Sequence, residues 1–186
     1  APAAVFLRVG ASMTKDMVAQ GKLSAESPLL WFFYREERRA YSRVDAVLPN
    51  STWSYHHVAS LCPQARLLSP VLSPVDQQTF CPNKTIGKGA RRKLGISQED
   101  RVILFPSRLD QRKGPLVALQ AFRELLNRGH CYRLVYVGRG TEQVEIERMI
   151  VEWELGARVH LLGMVPHSEM PVLYNMADVV VVPSVS

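Results

Sequence analysis

The sequence is poor in cysteine and has no long apolar run. Its three cysteines, Cys62, Cys81 and Cys131, do not have the paired spacing of a metal site, and an odd number leaves one thiol unpaired in any disulfide scheme. A reducing compartment is therefore the expectation. No stretch of about 18 apolar residues is present and no secretory signal is visible, so neither a transmembrane helix nor export is predicted. We expect a cytoplasmic protein.

Positive charge exceeds negative charge, and the excess is unevenly distributed. The 186 residues carry a formal net charge of +6, and the segment 88–113 has eight basic residues against three acidic ones. Four of them belong to a predicted short exposed helix: Lys88, Arg91, Arg92 and Lys93. Either they form a solvated surface, or they attract anionic lipid headgroups and give peripheral contact with the inner membrane face. Nucleic acid is not an expected partner, because aromatic residues do not interleave with these charges.

The most informative segment joins a buried strand to an amphipathic helix through a basic loop. The apolar run 102–105 suits a central strand, and Pro115 with the apolar stripe after it predicts a helix that ends at Gly129. The loop between them contains Arg108 and Lys113. Backbone N–H groups and the dipole at a helix start favour a bound anion, and two cations strengthen that preference. The loop therefore predicts an anion site, with phosphate as the obvious ligand.

Strands and helices alternate from residue 102 to the end of the chain. Further strands are predicted at 132–137, 158–162 and 179–182. The first of them leads into a helix that Thr141 is predicted to cap and Gly156 to end. This alternation predicts an α/β fold with a Rossmann-like, doubly wound parallel sheet. Ligands of such sheets bind beyond the carboxyl ends of the strands, which favours the anion site over the alternative of solvated loop cations paired with Asp110.

Several short motifs occur in the order and spacing of one known family. They are Ser107-Arg108-Leu109 to Lys113-Gly114, Val137 to Gly140, Leu162 to His167, Leu173-Tyr174 with Ala177-Asp178, and Val182-Pro183-Ser184. Together they resemble the donor-binding half of the group-one (family four) glycosyltransferases, which are retaining enzymes of the glycosyltransferase-B architecture. Upstream, residues 45–51 and 75–82 resemble the end of the acceptor-side domain and the linker that follows it. The resemblance extends from about Arg35 to Ser186.

The resemblance implies transfer of a sugar from a nucleotide-diphosphate sugar, with no cofactor and no protein-bound metal. Arg108 and Lys113 match the basic pair that holds the donor diphosphate and stabilises charge growing on the leaving nucleotide, so they are the predicted catalytic residues. The predicted donor-binding residues are Ser107, Gly138, Gly140, Met164 and Val165. The two glycines would let the backbone approach the nucleotide, and the last two residues would lie along a uracil or guanine base. The acceptor is an unknown glycan, lipid or small molecule.

The resemblance also divides the chain. Residues 1–73 correspond to the C-terminal part of the acceptor-side domain, an incomplete α/β domain, 74–86 to the interdomain linker, and 87–186 to the donor-binding domain. Pro74 stands where the linker of the family usually has glycine. Two glutamates that contact the donor in the family would follow Ser186, and the beginning of the acceptor-side domain is missing. We therefore expect an internal fragment of a hexosyltransferase-type enzyme that lacks turnover by itself.

Two other functions are kept open. The first is an NAD-dependent oxidoreductase, because Gly138 and Gly140 follow a strand. Gln143 at the third glycine position, and the lack of an acidic residue closing the next strand, argue against it. The second is a non-catalytic nucleotide-binding or interaction module, which the missing glutamates would permit. Titration with UDP, GDP and NAD separates the first alternative from a glycosyltransferase.

Overall fold

The computed structural model of the chain describes residues 3–19, 21–129 and 131–184. The chain divides between Val75 and Asp76 into an N-terminal unit and a C-terminal unit. Residues 1 and 186, at which the predicted domains begin and end, lie outside the described residues. None of the helices in the described ranges is long and apolar enough to span a membrane.

The described part of the N-terminal unit has two parallel strands and three helices. In chain order they are β1 (Phe6–Val9), α1 (Met13–Ala19), α2 (Leu29–Ser42), β2 (Ala46–Pro49) and α3 (Thr52–Leu61). Helix α3 begins where the sequence offers a cap, because the Ser51 hydroxyl accepts the N–H of Ser54. The helices and the sheet share an apolar core that includes Tyr41, Val47 and Val58. Burial, followed by the charge of Glu37, raises the pKa of Tyr41 to about 12.

Helices and strands alternate through the C-terminal unit. In chain order they are α4 (Lys84–Lys93), β3 (Arg101–Pro106), a 3-10 turn (Gln111–Lys113), α5 (Pro115–Asn127), β4 (Tyr132–Val137), α6 (Gln143–Glu152), β5 (Val159–Leu161), a second 3-10 turn (His167–Glu169), α7 (Met170–Met176) and β6 (Val179–Val180). The strands form a parallel sheet in the order β5-β4-β3-β6. The chain thus moves outward from β3 to β5 and then returns to place β6 on the other side of β3. This reversal is the topological switch point at which ligands of open α/β sheets bind.

Both faces of this sheet are covered, which explains why its central strands are apolar without alternation. On one face, α5 and α6 bury a core that includes Phe105, Phe122 and Tyr136. On the other face, α4 and α7 bury a core that includes Leu104 and Met176. The Rossmann-like, doubly wound α/β class predicted from the sequence is confirmed.

The predicted ends of α6 are wrong. Thr141 does not cap this helix, which begins at Gln143 without a side-chain cap, because the preceding backbone is held elsewhere: the Glu142 N–H donates to the Leu109 carbonyl over 2.9 Å. The helix also ends at Glu152, before Gly156. Strand β6 is likewise shorter than the predicted 179–182, because the described sheet pairs only its first two residues with β3.

Candidate functional site

The loop that follows β3 lies at the switch point of the sheet, at the carboxyl edge. It runs from Ser107 through the 3-10 turn to Gly114, and α5 begins at the next residue with Pro115 in its first turn. Gly114 has a φ of 65°, and a β-carbon at this position would lie 2.4 Å from the Pro183 carbonyl oxygen. The loop after β3 therefore contacts the segment after β6, which borders the switch point on its other side.

The loop after β4 packs against the same basic loop through two glycines. A β-carbon on Gly138 would lie 2.2 Å from the Ser107 carbonyl oxygen, and one on Gly140 would lie 2.2 Å from the Leu109 carbonyl oxygen. Neither position has room for a side chain. The Leu109 N–H also donates to the Arg139 carbonyl over 3.0 Å. The structure thus brings together the predicted residues Ser107, Gly138 and Gly140, and these glycines are already required by contacts within the protein.

The loop after β5 joins this group through its backbone. The Gly138 N–H donates to the Gly163 carbonyl over 2.7 Å. Met164, the next residue, is 70% exposed, whereas Val165 is half-buried against the core formed with α4 and α7. Three consecutive loops of the sheet are therefore linked by direct backbone contacts at one edge. The roles predicted for Met164 and Val165 beside a nucleobase stay predictions.

The two predicted catalytic cations lie on this edge in different surroundings. Arg108 is 62% exposed, and its Nη2 lies 3.1 Å from Oδ2 of Asp110. Lys113 is half-buried at the end of the 3-10 turn. The ion pair expected under the alternative interpretation of the loop is therefore present. The Arg108 end of the pair is exposed to solvent, and ion pairs at the surface are worth about 0–1 kcal/mol, so Arg108 can leave Asp110 for a more highly charged anion at little cost.

Two acidic residues at this edge, Asp110 and Glu142, were not predicted to lie close together. One carboxylate oxygen of Asp110 is buried without a hydrogen-bond partner among the described residues. Burial, followed by the charge of Asp110, raises the pKa of Glu142. Negative charges on Asp110 and Glu142 therefore repel each other. The Arg108 guanidinium, which is paired with Asp110, offsets part of this repulsion. The signal in the sequence was weak, because Asp110 and Glu142 belong to loops separated by a whole helix and strand.

One of the four cations predicted on the basic helix, Arg91, has a structural role that neither interpretation of the charge included. Arg91 has a side chain only 11% exposed, and its Nη2 lies 2.7 Å from Oδ2 of Asp178. It also donates to the main-chain carbonyls of Met176 and Asp100, over 2.9 and 2.8 Å. Arg91 is therefore a structural cross-link, whereas the other four cations of the helix, Lys84, Lys88, Arg92 and Lys93, are exposed. Peripheral membrane contact stays a prediction.

Comparison with known proteins matches this part of the chain to one family. The family profile described as "Glycosyl transferases group 1" matches residues 88–186, slightly more than half of the chain. An uncharacterized glycosyltransferase of Methanocaldococcus jannaschii is 35% identical over 95 residues, which are 51% of this chain and 24% of the relative. A D-inositol 3-phosphate glycosyltransferase of Corynebacterium jeikeium is 39% identical over 103 residues, again 51% of this chain and 24% of the relative. The chain thus spans about a quarter of the length of these curated relatives.

Solved structures with low sequence identity share the fold. HepE of Anabaena, crystallised with UDP and glucose, matches with a TM-score of 0.73 and 18% identity, over 97% of this chain and 46% of that one. Sucrose-phosphate synthase from Thermosynechococcus elongatus matches with a TM-score of 0.73 and 21% identity, over 95% of this chain and 44% of that one.

Proposed function

Because the chain belongs to the group 1 family of glycosyl transferases, we propose that it is part of an enzyme that transfers a sugar from a nucleoside-diphosphate sugar to an acceptor. In this proposal the C-terminal unit binds the donor, and the N-terminal unit belongs to the acceptor-side domain. The proposal rests on one observation: the basic loop after β3 packs against two glycines of the loop after β4 at the switch point of the sheet. Retention of the anomeric configuration and a hexose donor are further parts of the proposal, and they rest on the family resemblance.

The proposed chemistry is stabilisation of a leaving group. Breaking the bond between sugar and diphosphate leaves negative charge on the β-phosphate oxygens. The guanidinium of Arg108 can form a bidentate contact with such a phosphate, and the ammonium of Lys113 adds a point charge. Pro115 begins a helix of 13 residues, whose dipole adds partial positive charge at the same loop. Charge stabilisation of this kind needs no strong base on the protein.

The diphosphate must compete with Asp110 for Arg108. Asp110 offers one carboxylate at 3.1 Å; its side chain is 23% exposed, whereas that of Arg108 is 62% exposed. A nucleoside diphosphate carries two or more negative charges and can engage both cations of the loop at once. The exchange therefore favours the diphosphate. Asp110 then loses its cation, and its repulsion with Glu142 grows, which limits the net gain.

Calorimetric titration of the chain with UDP, GDP and NAD tests the proposal. We expect a nucleoside diphosphate to bind, and Arg108→Ala and Lys113→Ala each to weaken that binding by about 1.5–3 kcal/mol, the range for hydrogen bonds to charged groups. Arg128→Ala is the matched control, because Arg128 is an exposed residue at the C-terminal end of α5, where the chain returns to the amino ends of the strands.

Three results would contradict the proposal in different ways. Unchanged nucleoside-diphosphate affinity in both variants would show that Arg108 and Lys113 do not contact the phosphates. Tighter binding of NAD than of UDP or GDP would favour the oxidoreductase. Binding without transfer or hydrolysis of a labelled nucleotide sugar by the complete reading frame would favour a non-catalytic nucleotide-binding module.

A further inference from the structure

Helix α2 of the N-terminal unit exposes aromatic and basic side chains along one side. Residues that are adjacent or three to four positions apart share a side of a helix. The exposed residues that follow this spacing, here called the α2 stripe, are Trp31, Phe32, Arg35, Arg38 and Arg39. The residues that α2 buries, Glu37 and Tyr41, lie on its opposite side. Helix α2 therefore has one packed side and one side that faces solvent.

The α2 stripe is aromatic at one end and basic at the other. Trp31 is 67% exposed, and Phe32 beside it is also exposed. The arginines follow over the next two turns of the helix. Arg35 joins the two ends, because its guanidinium carbon lies 4.9 Å from the ring centroid of Trp31 and 5.2 Å from that of Phe32. Adjoining aromatic side chains that remain in water indicate an interaction surface.

Positive charge predominates around this stripe. The exposed carboxylate nearest to it belongs to Glu36, which lies 3.1 Å from Arg35 and 4.0 Å from Arg39. Such pairs at the surface are weak, so both arginines can exchange Glu36 for another anion. Arg38 is exposed on the stripe, and Arg43, the first residue after the helix, is exposed as well. A partner of this surface must therefore combine apolar groups with negative charge.

We propose that the α2 stripe docks on an anionic lipid bilayer, with Trp31 and Phe32 among the headgroups and the arginines on the lipid phosphates. Helices that lie in a membrane interface combine aromatic residues with basic ones in this way. An indole suits that position because it has an apolar body and one N–H donor. Arginine has a long apolar stem, and its guanidinium binds phosphate with two hydrogen bonds. The inference goes beyond the proposed function, because it concerns the N-terminal unit and does not involve the donor site.

This proposal assigns the membrane contact to a different helix from the one that the sequence indicated. Helix α4 presents four exposed cations, but its sequence contains no aromatic residue. If charge alone attracted the chain to lipid, cations of α2 and of α4 would contribute alike. Docking through α2 predicts that they contribute unequally.

The test is co-sedimentation of the 186-residue chain with lipid vesicles. We expect binding to vesicles of phosphatidylglycerol and phosphatidylcholine in equal parts, and much weaker binding to pure phosphatidylcholine. Arg38→Gln combined with Arg39→Gln should weaken binding to the anionic vesicles about thirtyfold, which is about 1 kcal/mol for each lost cation. Trp31→Ala should weaken it severalfold, because apolar burial is lost. Lys88→Gln combined with Lys93→Gln is the matched control: it removes the same charge from exposed positions of α4 and should have a much smaller effect.

Trp31 can also report the contact directly. In a background that carries Trp53→Phe and Trp153→Phe, Trp31 is the remaining tryptophan. Its emission should move to shorter wavelength when anionic vesicles are added, because the indole leaves water for the headgroup region. Arg38→Gln combined with Arg39→Gln should reduce this change at the same lipid concentration.

Other outcomes overturn the inference. Equal losses in the α2 and α4 double variants would mean that the net charge of the chain causes the attraction. Equal binding to both kinds of vesicle would mean that anionic lipid is not recognised, and an unchanged Trp31 emission would mean that the stripe does not touch the bilayer. A chain that binds neither kind of vesicle would contradict docking outright. If such a chain formed a dimer that Trp31→Ala disrupts, the stripe would instead be a contact between two copies.

Discussion

Asp178 is the acceptor of a cross-link that holds α4 to the sheet, and its removal is the sharpest test of the fold. Its Oδ2 accepts the N–H of Val102 and Nη2 of Arg91, both over 2.7 Å, and its Oδ1 accepts Nη1 of Arg101 over 3.1 Å. These contacts join the segment before β6 to the start of β3 and to the basic helix. We expect Asp178→Ala to destabilise the C-terminal unit.

The loss of unfolding free energy in Asp178→Ala can be estimated from the burial of each hydrogen-bond partner. Val102 is fully buried, and leaving its N–H without an acceptor costs about 1–3 kcal/mol. Arg91 loses a charged partner but keeps three main-chain carbonyl acceptors, so its share of the loss is at the low end of about 1.5–3 kcal/mol. Arg101 is 70% exposed and contributes little. Together these terms give a loss of about 3 kcal/mol for Asp178→Ala, against less than about 1 kcal/mol for Arg101→Ala.

Tryptophan fluorescence can report this unit alone. Trp153 is the only one of the three tryptophans that lies in the C-terminal unit, where it packs against the core formed by α5 and α6. Urea unfolding would be followed in a background that carries Trp31→Phe and Trp53→Phe, with Arg101→Ala as the matched control. A urea midpoint for Asp178→Ala no lower than that of the control would contradict this prediction, because the buried contacts would then contribute nothing to stability.

The same variant has a defined pH dependence. Burial alone would raise the pKa of Asp178, but the hydrogen bonds from the Val102 N–H, Arg91 and Arg101 outweigh it and hold the pKa below the ordinary value of 3.8. A carboxyl with a depressed pKa in the folded state stabilises the protein fully above its unfolded pKa and loses that effect as the pH falls through the folded pKa. The difference in free energy of unfolding between wild type and Asp178→Ala should therefore decrease below about pH 4. A difference that stays constant to about pH 2 would contradict this.

Two further predictions concern the site and the core. Gly140→Ala should weaken nucleoside-diphosphate binding at least tenfold. Its β-carbon would lie 2.2 Å from the Leu109 carbonyl oxygen and would displace that carbonyl together with the loop that contains Arg108. Gly156→Ala is the control, because Gly156 has open space around it and the substitution should leave the affinity unchanged. Tyr136→Phe should lower the free energy of unfolding by about 1 kcal/mol in the urea assay, because the buried hydroxyl donates to the Pro115 carbonyl over 2.7 Å. A Tyr136→Phe variant as stable as wild type would show that this bond has no net value.

Elements with local signals could be predicted from the order of residues alone. The start of α5 at Pro115 and its end before Gly129 follow from residues within a few positions of each end. Helices cover both faces of the sheet, so its central strands are continuous apolar runs without alternating polar residues. Such runs can be recognised directly in the sequence. The basic loop was likewise recognisable, because its position between a strand and a helix start already defines where it must lie.

Contacts between residues that are distant in sequence could not be predicted and became known from the fold. The cap predicted for α6 was wrong because a carbonyl of another loop, that of Leu109, holds the backbone at Glu142. The sequence indicated no special role for Arg91 among the cations of its helix. In the fold, Asp178, which is 87 residues later in the chain, lies 2.7 Å from its Nη2. The packing of Arg139 over Gly163 depends in the same way on two loops that the parallel sheet brings together. Local patterns predict which backbone geometry a segment adopts, but the partners of a side chain are set by strand order and helix packing, which no short window of sequence contains.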